Sequence, residues 1–133
     1  MTGHPAGKRR RISSGGHWEA AFGYSRAIVV RDACWVSGST DAGPDGRSRH
    51  PDDAAGQARG ALQVIEAALT EAGFSLRDVV RTRMFITNVA DGPAVGAIHG
   101  EVFGDIRPAS SMIVIPGLIE PSLLVEIEAE AQR

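Results

Sequence analysis

The sequence predicts an α+β fold: a six-stranded mixed sheet with two helices on one face. Three observations predict it. Residues 53–72 carry a single apolar stripe at helical spacing, and residues 93–103 carry a shorter and weaker one. The other apolar runs are short and either alternate with period two or are β-branched. At 133 residues the chain is one domain's worth, so both periodicities must share one core. The implied order is β-β-β-α-β-α-β-β.

Residues 1–8 read as a mobile tail ahead of a single domain, 9–133. The basic run Lys8-Arg9-Arg10-Arg11 is a solvated charge run leading into a short edge strand over 9–13, where charge discourages edge pairing. Tyr24–Val30 and Ala33–Ser37, broken by Arg31-Asp32, read as a hairpin. Gly38–Asp52, rich in Gly, Asp, Pro and Ser, reads as a loop, with Gly43-Pro44-Asp45-Gly46 as a turn rather than a phosphate cradle. Ala54, Ala58, Ala61, Leu62, Ile65, Ala68 and Leu69 then fall on one helical face. Asp52 and Asp53 suit its start and Gly73 its stop.

Val79–Asn88 reads as a strand with Val80, Thr82, Met84 and Ile86 on one side and Arg81, Arg83, Phe85 and Thr87 on the other. In the second helix, Pro93–Phe103, Gly96 and Gly100 weaken intrinsic helicity unless they permit close packing. Ser110–Ile115 and Leu123–Ala129 complete the sheet. The first of these is apolar on both sides, although two helices can cover only one face of the sheet. No residues remain to cover the other, so a second copy of the chain is the simplest cover, and a homo-oligomer is expected.

Composition excludes several classes. Fourteen Lys+Arg against sixteen Asp+Glu leave a net charge of −2, which is not the footprint of a nucleic-acid binder. Nucleic acid is therefore an unlikely partner. The single cysteine, Cys34, rules out an internal disulfide framework and a cysteine-based zinc cluster, and reads as a buried hydrophobe. The only lysine is Lys8, in the leader, so a Schiff-base lysine in the folded body is excluded. No two of His4, His17, His50 and His99 have the spacing of a helical metal site, and neither metal nor cofactor is expected. No apolar run approaches the ~20 residues of a membrane span. The first residues lack a signal-peptide core, so a cytoplasmic protein with no membrane partner is expected.

The motifs Gly23-Tyr24-Ser25, Val36-Ser37-Gly38, Gln57-Ala58-Arg59 with Ala72-Gly73, Phe103 before Pro108-Ala109, and Val125-Glu126-Ile127-Glu128-Ala129 occur in this order over about residues 17–132. In order and spacing the chain resembles the Rid family of reactive-intermediate (enamine/imine) deaminases, once described as translation inhibitors. The resemblance implies a homotrimer of chorismate-mutase-like subunits around a central barrel, with ligand clefts between neighbours. It also implies hydrolysis of an imine or enamine to an oxo acid and ammonia. In that family an arginine directly after Pro-Ala anchors the substrate carboxylate, matching it with a planar fork. Here that position is Ser110, which supplies neither charge nor fork. This places the chain with divergent subgroups lacking the anchor.

The resemblance assigns Glu126 as the water-positioning carboxylate, Tyr24 and Ser37 as cleft residues, and Ser110 as the substituted anchor. Each also has an ordinary structural explanation. Glu126 could pair with Arg81 or Arg83 on a neighbouring strand. Tyr24 could be an interface residue, and the Ser37 hydroxyl could bond nearby backbone. Arg107, roughly 10 Å from Ser110 along an extended chain, could meet an anion or a subunit interface. Because it precedes Pro108 its backbone is expected to be extended. His99, where relatives often have an aromatic residue, could shuttle protons or simply be packed. Trp18 and Phe85 are candidates for the cleft or for packing, and Glu19 for a partner to Arg26. The reading is an inter-subunit site adding water to a small imine, enamine or related carbonyl metabolite. The alternative is a trimer that binds a small-molecule ligand without turnover. A ribonuclease reading rests only on the basic run.

Overall fold

The structure, a computed structural model, describes residues 8–16 and 18–133. The expected tail, residues 1–8, lies outside the described residues except for Lys8. Six strands form one sheet: β1 (Arg9–Ile12), β2 (Ala27–Val30), β3 (Ala33–Ser39), β4 (Val79–Ile86), β5 (Ala109–Val114) and β6 (Val125–Gln132). Their order is β1-β2-β3-β6-β4-β5, with β4 and β5 parallel and the other pairs antiparallel. A four-residue helix α1 (Glu19–Phe22) precedes β2, and the main helices are α2 (Ala54–Ala72) and α3 (Gly92–Phe103). The mixed sheet with two main helices agrees with the sequence reading.

α2 forms because its stripe has a face to bury. Ala58, Ala61, Leu62, Ile65 and Leu69 are all buried, against Val36, Val125, Ile127 and Ala129 of the sheet. Each large side chain among them contributes about 1.5–3 kcal/mol of transfer free energy. Asp53 caps the helix, its carboxylate accepting from the Gly56 amide at 2.9 Å. Gly73 closes it in the left-handed region at φ 87°. Val95, Ile98 and Phe103 of α3 join the same core.

Two expected strand patterns are broken by one-residue bulges. In β4, Val79 pairs with Ala131 and Arg81 with Glu130, so Val80 is the extra residue. It faces outward at 49% exposure, contrary to the predicted alternation, while Val79 and Thr82 are buried. In β3, Val36 pairs with Ala129 and Ser39 with Ile127, so one residue of the Ser37-Gly38 pair is extra. The strand therefore runs two residues beyond its expected end.

Other expectations are corrected in detail. Tyr24–Arg26 is not strand: α1 ends at Gly23 in the left-handed region (φ 76°), and the chain enters β2 only at Ala27. Arg107 is not extended but left-handed, at φ 51°. Its amide donates to the Phe103 carbonyl at 2.8 Å, reversing the chain between α3 and β5. That local closure outweighs the preference set by Pro108. Gly100 does not permit close packing, because a Cβ there would meet nothing within 4 Å, and at Gly96 it would make ordinary contact with Met112. β5 is a sheet edge, with Met112, Ile113 and Val114 37–51% exposed.

Candidate functional site

A cavity of about 760 Å³ opens beside the β3 bulge, lined among others by Trp18, Tyr24, Arg26, Ser37, Gly38 and Glu126. The bulge builds it. The Ser37 amide donates to the Arg26 carbonyl at 3.0 Å, and the Ser37 hydroxyl donates to the Ser25 carbonyl at 2.7 Å. Arg26 Nη2 returns a bond to the Gly38 carbonyl at 2.7 Å. Tyr24-Ser25-Arg26 is thereby laced to Ser37-Gly38, and the guanidinium sits 5.8 Å from the Tyr24 ring centroid.

Glu126 comes from β6, whose alternation buries Val125, Ile127 and Ala129 and turns the glutamates to the opposite face. Gly38 is what gives its carboxylate room, since a Cβ at that position would overlap the carboxylate atoms. Burial pushes the Glu126 carboxyl above the usual range. The nearby Arg26 charge pulls it back down, and Glu128 adds a smaller upward push. The expected strand partner does not take it: Arg83 bonds Glu128 at 3.1 Å and Glu130 at 2.8 Å, and Arg81 bonds Ser111. Among the described residues Glu126 has no ion pair.

Two loops hold the walls. Glu19, which is 5% exposed, accepts from both hydroxyls of Ser13 and Ser14 and from the Ser14 and Gly16 amides. Burial alone would raise its pKa, but these donors together lower it, so it remains a carboxylate that pins α1. Its partners are thus these donors and not Arg26. α1 in turn presents Trp18, stacked on Phe22 at 4.8 Å between centroids. On the other side Asp41 is buried, and its Oδ2 meets the Ser48 hydroxyl (2.8 Å), the His50 amide (3.0 Å) and His50 Nδ1 (2.9 Å). Buried Gln57 donates to the His50 and Ser122 carbonyls and accepts from the Leu124 amide at 2.7 Å.

The structure thus brings Tyr24, Ser37 and Glu126 together. It does not bring Ser110, His99 or Arg107 to them. Thr82, fully buried, bridges the Ser110 hydroxyl (2.7 Å) and His99 Nε2 (2.8 Å) at the β4–β5 edge. His99 also packs on Phe103 at 4.7 Å, and burial lowers its pKa, so it is neutral at pH 7. Arg107 is exposed, its Nε donating to the Gly104 carbonyl at 3.3 Å. The Ser37 hydroxyl is committed to backbone and keeps only acceptor capacity toward a ligand. Cys34 is buried, and burial raises its thiol pKa. Among the described residues, no three His, Cys, Asp or Glu side chains gather as a metal site, and no helix is long and apolar enough to cross a membrane.

Sequence reasoning missed Arg26 and the role of Gly38. The available signal was position: Arg26 directly follows the Tyr24-Ser25 motif and Gly38 the Val36-Ser37 motif. Neither spacing announces a bulge that joins them.

Residues 16–133 match the family model described as Endoribonuclease L-PSP. The chain is 35% identical over 124 residues to an uncharacterized protein of Streptomyces coelicolor, covering 93% of this chain and 92% of that one. It is 34% identical over 108 residues to the 3-aminoacrylate deaminase RutC of Acinetobacter baylyi, covering 81% and 85%. The crystal structure of Rv2704 from Mycobacterium tuberculosis, described as a member of the YjgF/YER057c/UK114 family, superposes with a TM-score of 0.86. Its identity to this chain is 45%, over 95% of this chain and 100% of that one. A Rid-family protein of unknown function from Yersinia pestis, YyfA, gives 0.83 at 32% identity, covering 95% and 100%.

Proposed function

We propose a function from one premise: this chain belongs to the Endoribonuclease L-PSP family, the YjgF/YER057c/UK114 or Rid family. Its cavity hydrolyses a small imine or enamine. The observation that carries this reading is a half-buried Glu126 carboxylate without an ion pair, lining a cavity beside Tyr24. An enamine first takes a proton at its β-carbon to become the imine. Glu126 then takes a proton from water as the water oxygen bonds to the C=N carbon and the π pair moves to nitrogen, and the protonated Glu126 returns that proton to the nitrogen. The resulting carbinolamine expels ammonia and leaves a carbonyl. Tyr24 and the bulge shape the ligand's seat. The similarity to a deaminase whose named substrate, 3-aminoacrylate, is itself an enamine supports this chemistry.

The working unit in this proposal is a homotrimer. The apolar β5 edge, with Ile113 and Val114 exposed, supports it. A neighbour would then bring its own Ser110, Thr82 and His99 edge toward the cavity, completing the cleft. The test is ammonia release from freshly generated imines. Glu126→Gln is expected to lower kcat by about 10²–10⁴-fold with the trimer intact. Unchanged turnover would remove Glu126 from the chemistry.

A second reading is a ligand-binding trimer without turnover, favoured by the Ser110 hydroxyl, which supplies no charge and is already bonded to Thr82. Thermal stabilisation by small carboxylates or carbonyl compounds, with no ammonia released from any imine, would establish it.

A further inference from the structure

Charge inside the cavity is not distributed as the missing anchor at Ser110 would suggest. Of the described residues lining it, Arg26, Arg49 and Glu126 carry charge, so the space is net positive by one even with Glu126 ionised. Arg49 lies exposed at the margin, whereas Arg26 is only 9% exposed. A buried guanidinium normally has its donors matched. Here Nη2 donates to the Gly38 carbonyl, Nε is buried with no hydrogen-bond partner, and no carboxylate forms an ion pair with it among the described residues. Arg81 Nε is also unpartnered, but Arg81 does not line the cavity.

Holding the bulge needs one Arg26 donor. That leaves its charge facing a cavity lined by both polar and apolar groups, with Glu126 near it but not ion-paired to it. The Tyr24 ring lies within cation–π distance of the guanidinium, 5.8 Å from ring centroid to Cζ, and helps to hold it at the cavity wall. A guanidinium that lines a cavity with no carboxylate ion-paired to it is a receptor for an anion.

We propose that Arg26 is the specificity-determining residue of this cavity, gripping the carboxylate of a small ligand that Ser110 is not equipped to hold. The proposal rests on the cavity being the ligand site. It assigns the ligand's charged end to the Tyr24–Arg26 wall of the same chain, and its reacting carbon to the side where Glu126 stands. A neutral analogue makes no use of Arg26.

The test uses the full chain in its native assembly, with 2-oxobutanoate and its uncharged methyl ester as probes. Binding is read by titration calorimetry and by the fluorescence of Trp18, which lines the cavity. Arg26→Gln is expected to weaken 2-oxobutanoate by about tenfold or more while leaving the ester unchanged. Arg26→Lys keeps charge and the means to bond Gly38 but not the fork. It is the comparison should Arg26→Gln unfold, and is expected to lose part of the preference for the acid over the ester. Equal loss of acid and ester in both Arg26 variants, or an acid preference that survives both, overturns the proposal while the cavity remains the ligand site. Binding of neither probe by the unmodified protein overturns the cavity as a ligand site and this proposal with it.

Discussion

Glu126 and Gly38 form a unit. The carboxylate occupies the space that a side chain at position 38 would take. Gly38→Ala therefore forces the carboxylate aside or opens the bulge. Because the atoms that must move are the far end of a flexible side chain, the cost in stability is small. The account expects a nearly unchanged melting temperature and a loss of ammonia release that the stability change does not explain. Wild-type turnover in Gly38→Ala would show that the placement of Glu126 is unimportant. Glu126→Gln likewise costs little stability. A carboxyl whose pKa is raised by folding contributes stability at low pH, and this is lost as pH rises through the folded value. Removing its charge thus leaves the fold as stable or more stable at neutral pH, so lost turnover in that variant reads as chemistry. At this scale the family resemblance implied a shared cleft for Tyr24, Ser37 and Glu126, each of which also had an ordinary structural explanation. They could not show that the Ser37 proton is spent on the Ser25 carbonyl, or that Thr82 occupies Ser110 and His99.

At the scale of elements, α2 and β6 were legible because burial follows their periodicity without interruption. β3 and β4 were legible only in part. A bulge adds one residue without changing composition, so alternation read from sequence slips by one beyond it, as at Val80. α1 was missed because four residues are too few to show a helical period, and its position is set by buried Glu19. α3 was placed within one residue, and of the two explanations open for its glycines, weakened helicity or close packing, Gly100 fits the first. Gly100 is exposed in a helix interior with open space around its Cα. Gly100→Ala is accordingly expected to stabilise the protein by about 0.5–1 kcal/mol, measured by urea unfolding. A destabilised variant would mean that another surface packs closely there.

For the whole molecule, the sequence showed that an apolar strand lacked a cover, and the structure locates that strand at an open sheet edge. The trimer is the proposed cover. Ile113→Glu on that edge is expected to dissociate the assembly in sedimentation and to abolish turnover, since each cavity would lose its neighbouring wall. An unchanged assembly would place the interface elsewhere. The cavity itself was less legible than the fold, because it joins α1, the β3 bulge, the 41–50 loop and β6, segments distant in sequence that no local pattern links. The chemistry proposed for it depends on one carboxylate held partly out of solvent. The pH profile of ammonia release tests this most directly. The account predicts an acidic limb above the ordinary glutamate value of about 4.5, where Glu126 loses its charge, and no such limb in the residual activity of Glu126→Gln. A limb that persists unchanged in Glu126→Gln, at full rate above it, would contradict the account.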